Sequence, residues 1–382
     1  MKVYVKDIGT CQLNYQHECL EEEINKYGTI TNNVSDADVI VFTGTCTCTE
    51  MQIVDTINVM SEILKKVNKS AKVYMTGCLS RKITKEHKFF DIVNKWIELN
   101  VDEVVPQNEP VLLLEKIFGF KFDVDYRESF GAFLVDNNFA RIYISNGCLH
   151  KCSFCKTTFQ DYPLRSANFD DVVQEIDFCN KVGISDIWLC GTNVSQYGFD
   201  NYGDYLLPEL LSYIESRENI KSVSLVGFGF ATAIKQEFGE FMRDLSKVDI
   251  ISGSLESGSD RILKLMRKGF TSKEIVDFIN YINQIYKKRL YSSIIAGFPT
   301  ETLDDVMMTI DVLKKLNPEW VDICRYIDSS FVDSHRLKQL EPKVIKKRAR
   351  IYDKELKKYR ISAKVSGFDY VYNNRLKDFE KI

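Results

Sequence analysis

Strand-like apolar runs alternate with helical patterns along most of this chain, and that rhythm restricts the fold more than any other feature. Short apolar runs fall at Lys2–Val5, Asp38–Phe42, Lys72–Met75 and Val101–Val105, with helical periodicity between them at Asn14–Lys26 and Glu50–Lys66. Alternation of this kind implies a parallel sheet with helices over its faces. The rhythm then resumes about six times, with strand patterns at Arg141–Ser145, Ile184–Cys190, Lys221–Gly227, Asp249–Ser254, Leu290–Ala296 and Trp320–Tyr326. Helical patterns at Asp170–Val182, Ser272–Tyr286 and Thr302–Leu316 follow some of these. Consecutive βα units joined by right-handed crossovers curl into a partly closed barrel. The expected fold is therefore α/β: an N-terminal parallel-sheet, Rossmann-like domain over residues 1–125, then a partial (β/α)6 barrel of TIM type over 135–340. The polar stretch near Asp123–Glu128 reads as their junction. Residues 341–382 read as a short basic helical tail, because LKQLEPKVIKKRARIYDKELKKYR has the pattern of one exposed helix.

The formal charge of the 382-residue chain is −3, so no global basic field advertises nucleic acid or an acidic membrane. No stretch approaches the ~18 uninterrupted apolar residues of a membrane span. The opening MKVYVKD alternates like a strand and lacks the apolar core of an export signal. A cytoplasmic location without membrane attachment is expected. In that reducing setting eleven cysteines do not read as a disulfide scaffold. Each is a small buried hydrophobe or a metal ligand. Cys19, Cys179, Cys190 and Cys324 lie inside helical or strand patterns and read as buried thiols.

Cys148, Cys152 and Cys155 differ. In ISNGCLHKCSFC they are spaced C-x-x-x-C-x-x-C directly after the first barrel strand. Such spacing lets one loop wrap one metal centre. Three thiolates hold three irons of a 4Fe–4S cube and leave the fourth iron open to a ligand. The rival metal is zinc, which asks for a fourth ligand that His150 is badly placed to give. The spacing resembles that of the radical S-adenosylmethionine (SAM) superfamily, in which the open iron chelates SAM and an electron cleaves it to a 5′-deoxyadenosyl radical. By that resemblance Phe154 packs near the adenine, although plain core packing is the simpler reading. Gly191-Thr192-Asn193, in CGTNVSQYG, occupies the place of the motif that binds the SAM amino group, or forms a turn with a capping Asn. Glu256 and Ser257, in SLESGSDRILKLMRKGFT, would meet the ribose. Arg267 is equally a carboxylate partner or a helix C-terminal cation. Ile295 and Phe298, in IIAGFPTET, would belong to the adenine wall, though such residues are more often core.

Cys11, Cys46 and Cys78 look unrelated until the strands are drawn. Each follows the carboxyl end of a strand pattern, in DIGTC, FTGTC and MTGC. In a parallel sheet those ends share one edge, where ligands collect. Three separate buried thiols remain the plainer reading of geometry alone. In order, CQLN, DADVIVFTGTC, TGC, CSFC, CGTNVSQYG, SGSDRILKLMRKGFT and GFPTET resemble the methylthiotransferase family of radical SAM enzymes over about residues 1–345. The resemblance implies a second 4Fe–4S cluster on Cys11, Cys46 and Cys78, with Cys48 the alternative to Cys46. It implies two SAM molecules, one giving a methyl group to sulfur on that cluster and one cleaved reductively, and an external electron donor. The product is a methylthio group at an unactivated C–H bond; no acid–base pair is invoked.

Family branches act on a tRNA adenosine, a ribosomal protein or peptides, and usually carry a small β-barrel at the C-terminus. Only 22 residues follow Arg360, too few for that barrel, and YIDSSFVDSH stands where the family has an Arg-Pro-Gly-Thr type of turn. The expected substrate is a peptide or protein, a ribosomally made precursor peptide included, with tRNA the alternative. From another class, an iron–sulfur electron carrier or redox sensor would need the clusters but no SAM site.

Overall fold

The computed structural model describes residues 1–8, 15–45, 50–77, 79, 90–105, 110–121, 132–136, 138–155, 163–329 and 332–366. Two compact units emerge, one built on Met1–Arg127 and one on Glu128–Phe368. No helix among the described residues is long and apolar enough to cross a membrane.

The first unit runs β1 (Lys2–Asp7), α1 (Tyr15–Tyr27), β2 (Thr29–Ile30), β3 (Val39–Thr45), α2 (Glu50–Leu64), β4 (Lys72–Gly77), α3 (Phe90–Asn100), β5 (Glu103–Val104) and α4 (Pro110–Phe118). Its sheet has the order β2-β1-β3-β4-β5, and every pairing is parallel. β3 reads VIVFTGT and is buried along almost its whole length, as a strand covered on both faces must be. Val3, Val39, Val41 and Tyr74 from the strands pack on Leu20 and Ile24 of α1 and on Leu113, Leu114 and Ile117 of α4. The carboxyl ends of β3 and β4 are sewn together. Thr45 Oγ1 donates to the Thr76 carbonyl at 2.7 Å and accepts from Leu79 N at 3.2 Å. Gly77 sits at φ +106°, and a Cβ there would lie 2.5 Å from Thr45 N, so the approach requires glycine.

The second unit begins with β6 (Ala132–Asp136), β7 (Phe139–Asn146), β8 (Arg165–Ser166), α5 (Phe169–Val182), β9 (Asp186–Gly191), α6 (Phe199–Tyr202), α7 (Leu207–Glu215) and β10 (Ser222–Val226). It continues through α8 (Phe230–Lys235), α9 (Phe238–Asp244), β11 (Val248–Ser252), α10 (Asp260–Met266), α11 (Ser272–Ile282), β12 (Arg289–Ala296), α12 (Leu303–Leu316), β13 (Trp320–Arg325), α13 (Pro342–Lys358) and β14 (Ser362–Ser366). The sheet order is β14-β13-β12-β11-β10-β9-β7-β6, with β8 paired to β7. From β7 to β14 the neighbours along this path are parallel; β6 and β8 are antiparallel to β7. Helix starts are set locally. Thr271 with Glu274 and Thr302 with Asp305 form capping boxes at α11 and α12, each satisfying backbone donors that a helix leaves unpaired. β12 alternates half-buried and buried residues along all eight positions, so Tyr291, Ser293 and Ile295 share one face.

Two features differ from the sequence expectation. The basic segment after Leu340 does not stand apart as an exposed tail. α13 buries Ala349, Tyr352 and Leu356, and β14 extends the sheet by pairing with β13 from Trp320↔Ser362 to Cys324↔Ser366. The charges of the helix masked its apolar stripe, and SAKVS is an edge strand with no apolar run to read. β6 also lies ahead of the first expected barrel strand. Its AFLVD stands just before Asn137 and Asn138, a hairpin signal that was present in the sequence.

Candidate active site

The loop after β7 carries Cys148, Cys152 and Cys155 and is held by hydrogen bonds. Ser153 N donates to the Met266 carbonyl at 3.0 Å and Ser153 Oγ to the Leu265 carbonyl at 2.8 Å. Leu149 N donates to Gln196 Oε1 at 2.9 Å. The loop is thus pinned to α10 on one side and to the turn after β9 on the other. All three thiols are half-buried and line one cavity of about 390 Å³. Burial raises the Cys148 pKa and pushes that of Cys152 up to about 11, which favours the protonated thiols; a metal centre bound here would have to displace those protons. Among the described residues no three His, Cys, Asp or Glu side chains converge as ligands of a single ion. A 4Fe–4S cube takes each thiolate on a separate iron.

Gly191, Thr192 and Asn193 close β9 beside that loop. Gly191 pairs with Ser145 of β7. Thr192 Oγ1 donates to Asn146 Oδ1 at 3.0 Å and accepts from Gly147 N at 3.2 Å, bracing the start of the cysteine loop. Asn193 is buried and lines the cavity; its Nδ2 donates to Cys148 Sγ at 3.4 Å, and its Oδ1 has no partner. A buried acceptor left unpaired costs about 1–3 kcal/mol, a cost that an N–H brought to this point would relieve. Gly227, at φ +85°, crosses this strand so closely that a Cβ would fall 2.0 Å from the Gly191 carbonyl oxygen.

Glu256 also lines the cavity, and its backbone is unusual. It sits at φ +67° and bridges to β12: its N donates to the Ser293 carbonyl and its carbonyl accepts from Ile295 N, both at 2.9 Å. A non-glycine residue held in the left-handed region is strain stored at a site. Burial raises the pKa of its carboxyl, while Lys268 Nζ at 3.8 Å works against that rise. Phe154 lines the cavity and meets Phe298 edge-on at 6.4 Å.

The other expected residues fall elsewhere. Ser257 is buried against α12, its Oγ 3.2 Å from Thr309 Oγ1, and is not part of the cavity wall. Arg267 ends α10 at φ +58° and pairs with Asp333; the next residue, Lys268, enters the cavity instead. Phe298 is fully buried with Ile262, Met266 and Tyr326, and Ile295 packs against that cluster. Cys11, Cys46, Cys48 and Cys78 lie outside the described residues.

Sequence reading missed several wall residues. His150 lines the cavity, its Nε2 3.0 Å from Thr232 Oγ1, and burial, helped by Lys268 and Lys235, lowers its pKa. Tyr291, Ser293, Trp320 and Asp322 line the same space. The usable signal was alternation: residues two apart on β12 and β13 face one side.

A family model described as the radical SAM superfamily matches residues 142–313. The threonylcarbamoyladenosine tRNA methylthiotransferase MtaB of Aquifex aeolicus (strain VF5) is 30% identical over 371 residues, covering 91% of this chain and 85% of its own. The ribosomal protein uS12 methylthiotransferase RimO of Thermosipho africanus (strain TCF52B) is 27% identical, covering 90% of this chain and 80% of its own. The tRNA-2-methylthio-N(6)-dimethylallyladenosine synthase of Sulfurihydrogenibium sp. (strain YO3AOP1) is 28% identical, covering 85% and 76%. Among solved structures, the radical SAM methyltransferase TsrM from Kitasatospora setae, with cobalamin and a [4Fe-4S] cluster bound, superposes with a TM-score of 0.55 at 13% identity, covering 87% of this chain and 77% of that one. At that identity the likeness is one of fold.

Proposed function

This chain belongs to the radical SAM methylthiotransferase family, and from that premise we propose that it inserts a methylthio group at an unactivated C–H bond of a peptide or protein. The observation that carries the proposal is one cavity lined by three thiols and by a buried amide oxygen with no partner. Cys148, Cys152 and Cys155 would hold one 4Fe–4S cluster, and Cys11, Cys46 and Cys78 a second. Together with SAM, such clusters supply one-electron cleavage of SAM and the sulfur that is transferred.

The chain's own residues position and enclose. Thr192 fixes the start of the cysteine loop. Asn193 Oδ1 accepts from a donor on the ligand, and Glu256 offers a carboxylate to hydroxyls. Phe228, Phe230 and Phe270 line the cavity and exclude water from it. An external donor brings the electron. The family's oxygen-sensitive clusters suit a reducing, cytoplasmic setting.

Two observations support a polypeptide over a nucleic acid. The formal charge of −3 gives no field to hold a polyanion. On α13, the most basic helix among the described residues, four of the eight cations, Lys343, Arg348, Lys357 and Lys358, already face a carboxylate of the same chain. A tRNA adenosine is the second reading, favoured by the tRNA-modifying names among the relatives.

The test is anaerobic reconstitution followed by mass spectrometry. About eight irons, release of 5′-deoxyadenosine and a methylthio mass on a cellular peptide or protein are expected. Four irons without such a product would overturn the reaction. A carrier or sensor would release no 5′-deoxyadenosine. Modification found only on tRNA, with binding that weakens steeply as salt rises, would transfer the proposal to the second reading.

A further inference from the structure

The cavity reaches from the cysteine loop down to the middle of β12 and β13, where it is lined by Tyr291, Trp320 and Asp322. Register explains the grouping. Tyr291 pairs with Trp320 and Ser293 with Asp322 on adjacent parallel strands, and residues two apart share a face. The side chains that carry formal charge on this wall are Glu256, Lys268 and Asp322. Lys268 lies 3.8 Å from Glu256, so those two offset one another. Asp322 is half-buried and has no hydrogen-bond or ion-pair partner among the described residues. Lys364, its register partner on β14, makes no ion pair with it.

A carboxylate without an ion pair, beside aromatic rings in a partly enclosed space, favours one kind of guest. The carboxylate supplies the counter-charge, and an indole or phenol face attracts a cation through its quadrupole. An anionic or neutral guest would leave the carboxylate partly desolvated and unpaired.

We propose that Asp322, Trp320 and Tyr291 form a subsite for a cationic side chain, lysine or arginine, of the polypeptide substrate. The proposal rests on the polypeptide reading above and adds to it a side-chain preference.

The test uses the reconstituted, SAM-loaded enzyme under anaerobic conditions and titration calorimetry. The probes are blocked pentapeptides, acetyl-Ala-Ala-X-Ala-Ala-amide, with X as lysine, arginine, norleucine or glutamate, and a short adenosine-containing RNA hairpin. Lysine and arginine peptides should bind about tenfold more tightly than the norleucine peptide, a modest value for a charge pair in an interface. Asp322→Asn should erase that preference, and Asp322→Glu should retain it. Trp320→Leu should reduce it less than Asp322→Asn does. Equal binding of all peptides, or a preference that survives Asp322→Asn, would overturn the subsite and leave the polypeptide reading standing. Failure of every peptide to bind, with or without binding of the hairpin, would overturn both.

Discussion

In the second unit three cysteines fall within one loop between positions 148 and 155, whereas in the first unit Cys11, Cys46 and Cys78 each follow a different strand. The contiguous set depends on local bonds: Ser153 to α10, Leu149 to Gln196, Thr192 to Asn146. The dispersed set depends on a sheet. β1, β3 and β4 are adjacent and parallel, with Asp7 opposite Thr43 and Thr45 opposite Gly77, so their carboxyl ends share an edge. A slip of one residue in either pairing would displace a strand end that a cysteine follows in the sequence. The centre proposed on the loop would therefore be sensitive to that loop, and the centre proposed on the sheet to register across three strands.

The largest effects should come from the proposed ligands. Alanine at Cys148, Cys152 or Cys155 should halve the iron of the reconstituted protein, from about eight to about four atoms, and abolish release of 5′-deoxyadenosine. Alanine at Cys11, Cys46 or Cys78 should also halve the iron but abolish methylthio product while SAM is still cleaved. Cys48→Ala should keep about eight irons; if it loses four and Cys46→Ala loses none, the two cysteines exchange roles. Iron assay and chromatography of the SAM products read all of these.

A matched pair of glycines tests the comparison at backbone level. Gly77 at φ +106° and Gly227 at φ +85° each admit no Cβ, which would lie 2.5 Å from Thr45 N and 2.0 Å from Gly191 O respectively. Each alanine variant should cost several kcal/mol. Gly77→Ala should deplete the first centre, seen as lost product with SAM cleavage retained. Gly227→Ala should weaken SAM binding. If both variants fail in the same way, the centres are not independently supported.

What could be read in advance follows the same division. The C-x-x-x-C-x-x-C loop is legible because its cysteines are near in sequence, and the βα rhythm is legible because its strands are buried. The shared edge of the first sheet needed topology as an intermediate. Arg267 and Lys268 show the limit. Both are cations at the end of one helix, and only the left-handed φ of Arg267 turns it toward Asp333 while Lys268 enters the cavity. Ser257 and Glu256 divide for a similar reason: one backbone turn sends the carboxylate to the cavity and the hydroxyl to Thr309. The role of α13 was hidden because its charges mask the stripe of Ala349, Tyr352 and Leu356, and because Tyr352 meets Glu301 far away in the chain.

That last contact yields a pH prediction confined to the second unit. Glu301 accepts from Gly297 N at 3.0 Å and from Tyr352 Oη at 3.2 Å, and its carboxylate is almost inaccessible. Burial raises its pKa to about 7, against the opposing hydrogen bonds and Arg348. A carboxyl raised in the folded state gives its full stability below its ordinary pKa and loses it as pH rises through about 7. Between pH 4.5 and pH 8 the wild type should lose up to about 3 kcal/mol from this group. Glu301→Gln should flatten that slope in denaturant titrations. An unchanged slope would mean that Glu301 is already ionised when folded.

The smallest predicted effect separates ligand binding from architecture at Asn193. Its Oδ1 is unpaired in the protein alone, whereas its Nδ2 holds Cys148 Sγ at 3.4 Å. Truncation to alanine removes an unsatisfied acceptor together with one weak hydrogen bond to sulfur, so the stability of the ligand-free protein should move by less than about 1 kcal/mol. SAM should lose the acceptor that the cavity holds ready, and its Kd should rise about tenfold, equivalent to about 1.4 kcal/mol. A structural role would give the reverse: a fall in melting temperature with unchanged SAM affinity. Because Asn193 belongs to the second unit, the weakened variant should regain SAM cleavage at saturating SAM. If it does not, the side chain supports the cysteine loop, and the contrast between a locally held centre and a sheet-held one has to be redrawn around β9.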